Sequence, residues 1–181
     1  VDESGAIDLL APAISPGRAT WLELGAGHGT FTLALVELLG PAGRVLAIDR
    51  NARALAALRR RASRHGDRIA TLVADFTQPF DLGGFAAAGL DGLLAANALH
   101  FAPDPGPILT RVGAWLRPRG RLVVVEYEGR AASRWVPHPI STSRLEQIAV
   151  AAGFAAPVVL GSRPSAYGGS LYVAAADRRD P

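Results

Sequence analysis

The sequence predicts an α/β fold built on a mostly parallel sheet, and three observations lead there. Short apolar runs alternate with stretches of helical period, a glycine-rich turn joins the first apolar run to the first helical one, and the chain closes on two strand-like runs with no helix between them. Strands that alternate with helices need crossover connections, and crossovers place neighbouring strands parallel.

The elements follow in order. Strand-like runs occupy residues 20–24, 44–49, 71–75, 92–96 and 121–126, each largely apolar rather than alternating, as in strands covered on both faces. Phe31, Leu35 and Leu38 form one helical stripe before Gly40 and Pro41. Leu55, Leu58 and Ala62 form another after an N-cap at Asn51. A further helix is expected over 108–116, where Pro107 suits the first turn and Pro118 with Gly120 stops the run. Another is expected over 143–152, ended by Gly153. The runs 156–160 and 170–175 are separated only by loop residues and read as an antiparallel hairpin.

Composition narrows the possibilities. A length of 181 residues fits one domain over the whole chain, 1–181, and nearly half the residues are apolar, enough to bury a core. No cysteine is present, which excludes a disulfide framework, a thiolate zinc site, an iron–sulfur cluster and a cysteine nucleophile; no metal site is expected. The longest apolar stretch, 148–160, is broken by Gly153 and Pro157 and is shorter than the roughly 20 residues that span a bilayer. No membrane association is expected, and no targeting pattern opens the chain, so a cytoplasmic location is the expectation. A pI near 10 suggests nucleic acid, yet the 19 basic residues are all arginine, which titrates only at extreme pH, and the formal charge is +3.

The segment Trp21-Leu-Glu-Leu-Gly25-Ala-Gly27-His-Gly29-Thr-Phe runs from a strand through three glycines into a helix. Residues without Cβ let the chain turn sharply and let a ligand lie against the main chain at the positive end of a helix. Asp49 closes the second strand, 24 residues beyond Gly25, at the distance from which an acid reaches ribose hydroxyls. Asp75 closes the third. Each acid alone could equally cap the following helix, but together with the glycine turn they converge on the carboxyl edge of one sheet, where open α/β folds bind ligands. The dinucleotide fingerprint wants Gly or Ala where Thr30 stands, which argues against a nicotinamide-dependent oxidoreductase.

The pattern present is Glu23-x-Gly25-x-Gly27-x-Gly29. In it, and in the segments from Val45 to Asp49, Val73 to Phe76, Asn97 to Phe101, Leu116 to Gly120 and Ala152 to Phe154, the chain resembles the class I S-adenosylmethionine-dependent methyltransferases. It resembles in particular the small-molecule branch that includes ubiquinone and menaquinone biosynthesis enzymes. The resemblance implies a Rossmann-like methyltransferase fold: a seven-stranded sheet of order 3-2-1-4-5-7-6, strand 7 antiparallel, with helices on both faces. It implies S-adenosylmethionine as cofactor and S-adenosylhomocysteine as product. Gly25, Ala26 and Gly27 would pack against the cofactor, and Glu23 would orient its amino-acid end through the loop. Asp49 would bind the ribose, Asp75 and the Phe76 backbone would recognise adenine, Asn97 would line the methionine moiety, and Arg50 would belong to the cofactor-binding set. Two departures stand out. Arg119 replaces the family's usual glycine in the turn at 116–120, and only about twenty residues precede the first strand. The helices that often cover the substrate would then be missing, shorter or supplied by an oligomeric partner.

A sulfonium methyl group is already activated, so the chemistry mainly requires an acceptor held in line and shielded from water. An oxygen, nitrogen or carbon acceptor that carries a proton also needs a base, and histidine suits that role. His100, three residues after Asn97, is the first candidate, and His138 is the alternative. Tyr127, Arg134 and Trp135 follow the fifth strand and are candidates for the wall of an acceptor pocket; a proline-stiffened surface loop is the competing reading. The arginines around 59–68 read as the exposed face of an amphipathic helix rather than a nucleic-acid surface, and His65 reads as part of a polar helix end with no role. The expected partner is a small-molecule acceptor. An RNA methyltransferase and a catalytically silent cofactor-binding module are the alternatives.

Overall fold

A computed structural model of the chain describes residues 1–166 and 168–180. Its sheet has seven strands in the order β3-β2-β1-β4-β5-β7-β6. These are β1 (Thr20–Leu24), β2 (Arg44–Asp49), β3 (Ile69–Val73), β4 (Leu90–Ala96), β5 (Leu116–Glu128), β6 (Val158–Pro164) and β7 (Ser170–Asp177). β1 pairs parallel with β2 and β4, β2 with β3, and β4 with β5, while β7 is antiparallel to both β5 and β6. The expected sheet order and the closing hairpin are both present.

The helices α1 (Glu3–Leu10), α2 (Thr30–Leu39), α3 (Ala52–Arg61), α4 (Gly106–Gly113) and α5 (Thr142–Ala151) cover both faces. Alternation along the strands assigns the faces. Trp21 and Val45 pack with Leu10, Phe31 and Leu35 under α1 and α2, and Ala47 packs with Leu55 and Leu58 of α3. Leu22, Leu24, Leu46 and Ile48 point to the other side, against Ile108, Leu109, Leu145 and Phe154 beneath α4 and α5. Among the described residues no helix is long and apolar enough to cross a membrane.

Four local differences from the expectations have physical causes. α1 precedes the first strand, where no element is expected. It is capped by Asp2, whose carboxylate accepts the Gly5 N–H at 2.9 Å, and its eight residues are too few for a periodic signal. β3 lies two residues earlier than its apolar run, because pairing of Val45 with Ile69 and of Asp49 with Val73 fixes its register. It is also an edge strand, half-buried and ending on an exposed Val73, not a strand covered on both faces. α4 stops at Gly113, short of the expected 116, since Leu116 already pairs with Leu90 at the start of β5. His65 is not in a polar helix end but buried in a 3₁₀ stretch, beside Arg64 and Glu37, and burial pushes its pKa down.

Arg119 has φ of 60°, the left-handed region that costs a side-chain-bearing residue energy. Replacing it with glycine removes that strain, so Arg119→Gly is expected to raise the unfolding free energy by roughly 1 kcal/mol. The shift of the urea midpoint reads it, and an unchanged or lower midpoint would show that the turn tolerates arginine without cost.

Candidate active site

The carboxyl ends of β1, β2, β4 and β5 share one edge of the sheet, and the chemistry-bearing residues gather there. Gly25, Gly27 and Gly29 all take positive φ, at 69°, 54° and 87°. At Gly25 a Cβ would lie 2.9 Å from that of Ala98, so the turn and the segment just after β4 approach more closely than any other residue would permit. The turn is laced to β2: the Ala26 N–H donates to the Ile48 carbonyl at 2.9 Å, and the Gly27 N–H to Asp49 Oδ2 at 2.8 Å. Asp49 Oδ1 accepts the Asn51 N–H at 2.7 Å, and Asn51 in turn caps α3. Asp49 thus fixes the glycine turn and the start of α3 together. With two of about four acceptor positions used, it keeps capacity for a ligand.

Asp75 lies two residues beyond β3, where it accepts from the Thr77 hydroxyl at 2.7 Å and the Thr77 N–H at 2.9 Å. Those two bonds, the hydroxyl first, hold its carboxyl below the usual range. Asn97 ends β4 in the left-handed region, φ 53°, with its N–H bonded to the Val125 carbonyl at 2.8 Å. Its side-chain Oδ1 is buried with no hydrogen-bond partner among the described residues. A buried acceptor without a partner at the end of a strand is a candidate ligand contact, and asparagine is among the side chains that tolerate the left-handed region best.

Three clefts meet at Asn97. One of about 300 Å³ is lined by Gly25, Asp49, Arg50, Asp75, Phe76 and Phe101, among others. A second, about 340 Å³, runs from Gly25 and Ala26 past Thr30 to Tyr127 and Arg163. The third, about 360 Å³, is bounded by His100, Phe101, Tyr127, Arg130, Trp135 and Val136. Asn97 lines all three.

His100 sits on a 3₁₀ turn, Leu99–Phe101, just after β4 and is 2% exposed. Its Nδ1 is 2.7 Å from Glu126 Oε2, and its backbone N–H donates to Glu126 Oε1 at 3.2 Å. Glu126 lies near the end of β5, fully buried. Because β4 and β5 are parallel neighbours with Ala96 beside Val125, the acid comes level with the turn that carries the imidazole. A buried carboxylate on Nδ1 fixes the tautomer and leaves Nε2 as the basic nitrogen. His138 donates its backbone N–H to the His100 carbonyl at 3.1 Å, and Arg144 bonds the carbonyls of Pro103 and Pro139 at 2.8 and 3.0 Å, so the loop after β5 is tied over this turn.

The residues singled out in the sequence are therefore distributed unevenly. Gly25, Ala26, Asp49, Arg50, Asp75, Phe76, Asn97, His100, Tyr127 and Trp135 line the clefts. Gly27, His138 and Arg134 do not; Arg134 stacks on the Trp135 ring at 4.5 Å outside the third cleft. Glu23 also stands behind the wall, 2% exposed, accepting from the Thr32 hydroxyl of α2. The residues that sequence reasoning did not single out are Thr77, Glu126, Arg130 and Arg163. Glu126 left a signal, an acid at the end of a continuous apolar run, since a buried charge needs a partner. Arg163 left none, because only the sheet order brings β6 to this edge. Four of the five arginines of the basic segment have intramolecular partners: Arg59 bonds Thr71, Arg61 bonds Glu3 and the His28 carbonyl, Arg64 bonds Glu3 and Glu37, and Arg68 bonds the carbonyls of Val36 and Gly40.

Burial pushes the Glu23 carboxyl up to about 7, opposed by the Thr32 bond and reinforced by Asp49. Between its ordinary value near 4.5 and about 7, the unfolded chain ionises while the folded one keeps its proton. Glu23 therefore lowers stability as pH rises through that window. Glu23→Gln is expected to flatten this part of the stability–pH curve; denaturant titrations at pH 4.5 and 7.5 measure it, and an unaltered slope would refute the assignment.

A family model described as a methyltransferase domain matches residues 17–155. The chain belongs to the methyltransferase-domain family. An uncharacterized 37.1 kDa protein in transposon TN4556 of Streptomyces fradiae is 31% identical over 163 residues, 80% of this chain and 46% of that protein. A lovastatin diketide synthase of Aspergillus terreus is 33% identical over 112 residues, 60% of this chain and 5% of that protein. This methyltransferase domain thus spans less than half the length of these curated relatives. Among solved structures, the 1,6-didemethyltoxoflavin-N1-methyltransferase of Burkholderia thailandensis, with bound 1,6-didemethyltoxoflavin and S-adenosylhomocysteine, superposes with a TM-score of 0.72. Its identity is 27%, covering 98% of this chain and 78% of that one. The CurJ carbon methyltransferase gives a TM-score of 0.74 at 22% identity, covering 93% of this chain and 50% of that one, a likeness of fold.

Proposed function

We propose that this methyltransferase domain binds S-adenosylmethionine along the crescent that meets at Asn97 and methylates a small organic acceptor in the third cleft, with His100 as the base. The observation that carries the reading is the His100–Glu126 pair, placed on the wall of a cleft that shares Asn97 with the two others. The residues present fit the cofactor. Asp49 retains acceptor capacity for ribose hydroxyls, Arg50 lies beside it at the cleft, and Asp75 and Phe76 border the space for adenine. The orphaned Asn97 Oδ1 calls for a donor. S-Adenosylhomocysteine in the Burkholderia relative supports the same choice.

When bound, the cofactor supplies a methyl group on a sulfonium, an electrophile that needs no further activation. His100 removes the acceptor's proton at Nε2, and Glu126 acts as a positioning residue that holds Nδ1–H and stabilises the imidazolium. Phe101, Tyr127 and Trp135 offer flat apolar surface on which an acceptor excludes water from the reacting atoms. Arg134 acts at most through Trp135, and His138 through its backbone bond to His100. The internal engagement of Arg59, Arg61, Arg64 and Arg68 favours a small molecule over RNA.

Incubation of the full chain with methyl-labelled S-adenosylmethionine and a panel of phenols, amines and carbon acids tests the reading. Label is expected in at least one acceptor class and not in structured RNA. Cofactor binding without transfer to any acceptor would leave a silent binding module instead.

A further inference from the structure

We propose that Arg163, on β6, anchors the α-carboxylate at the amino-acid end of S-adenosylmethionine, with Asn97 accepting from its ammonium group. This rests on the cofactor reading above and adds to it the residue that fixes the tail.

The crescent is electrostatically polar. The cleft toward β2 and β3 carries two carboxylates, Asp49 and Asp75, which suit hydroxyl and amino donors. The cleft on the other side of Asn97 has no acidic residue in its lining and has Arg163. A nucleoside joined to a zwitterionic amino acid therefore has one favourable orientation along the edge, ribose toward the acids and carboxylate toward the guanidinium.

Arg163 reaches this place through topology. β6 is antiparallel to β7, and β7 to β5, so the end of β6 emerges at the same edge as the ends of β4 and β5. There its guanidinium lies against α1 at Gly5, where a Cβ would come within 2.8 Å of Nη1, and Nη1 donates to the Gly5 carbonyl at 3.3 Å. Arg163 is partly buried and forms no ion pair with a carboxylate of the described residues. A guanidinium has five donors in a planar fork matched to a carboxylate, and a partly desolvated one is costly to leave without a counter-ion. Two further features agree. α2 is preceded by Gly29, which offers no side-chain cap, and Thr30 of its first turn lines the same cleft, so the positive end of a ten-residue helix faces it. Asn97, at the junction, holds the buried acceptor without a partner that an ammonium would satisfy.

Calorimetric titration of the full chain with S-adenosylhomocysteine and with 5′-methylthioadenosine, which keeps the nucleoside and thioether but lacks the amino acid, tests the assignment. In Arg163→Gln, S-adenosylhomocysteine affinity is expected to fall at least about tenfold, the scale of one charge-assisted contact, with methylthioadenosine affinity unchanged. Retained methylthioadenosine binding also certifies that the variant folds. Arg163→Lys, with the charge but not the fork, is expected between wild type and Gln. Unchanged S-adenosylhomocysteine binding in Arg163→Gln, or equal losses for both ligands, would overturn the anchor while leaving the cofactor reading intact. Failure of the wild-type chain to bind either ligand would overturn both.

Discussion

Replacing His100 with alanine is expected to lower kcat by about 10²–10⁴-fold, the range for removal of a general base, with S-adenosylhomocysteine affinity nearly unchanged. The separation follows from geometry, because His100 borders the third cleft and not the two that border the glycine turn. Glu126→Gln tests the second half of the pair. An amide can accept from Nδ1–H but brings no charge to balance the imidazolium, so kcat is expected to fall with KM little changed. Steady-state kinetics with the accepted substrate measures both variants. Equal losses of kcat and cofactor affinity would mean that the pair only supports the fold, and full activity of His100→Ala would remove the base.

The second large effect is expected at Asp49. Its carboxylate organises the Gly27 and Asn51 N–H groups and faces the cleft in which ribose would lie. Losing charge-assisted bonds of about 1.5–3 kcal/mol each, Asp49→Ala is expected to weaken S-adenosylhomocysteine by about 100-fold. Asp49→Asn, which keeps one acceptor, is expected to lose less. Calorimetry measures the ratio. Wild-type affinity in Asp49→Ala would place the ribose elsewhere and reduce Asp49 to a cap for the turn and for α3.

The cleft residues around the glycine turn were legible in the sequence, and so were His100, Tyr127 and Trp135 of the third cleft, but Glu126 and Arg163 were not, for a physical reason. Gly25, Asp49 and Asp75 are read by their distance from local strand-to-helix junctions, and each junction is a short-range event marked by glycine or a cap. The pairing of His100 with Glu126 spans 26 residues and depends on two strands lying side by side. Arg163 depends on a hairpin folding back to the same edge. Side chains that meet only through sheet order carry no spacing to read. The α/β class was legible because most of its strands contain apolar runs that alternate with helical patterns, and the sheet order followed from the family resemblance. The misjudged elements were those governed by partners: β3 by its register with β2, α4 by early pairing of Leu116, and α1 by docking on α2 rather than by its own pattern.

The most direct test of the central claim is calorimetric titration of the full chain with S-adenosylhomocysteine and, separately, with NAD. Saturable binding of one S-adenosylhomocysteine per chain, abolished or strongly weakened in Asp49→Ala and absent with NAD, is the predicted result. Binding of NAD in its place, or of neither ligand, would contradict the account.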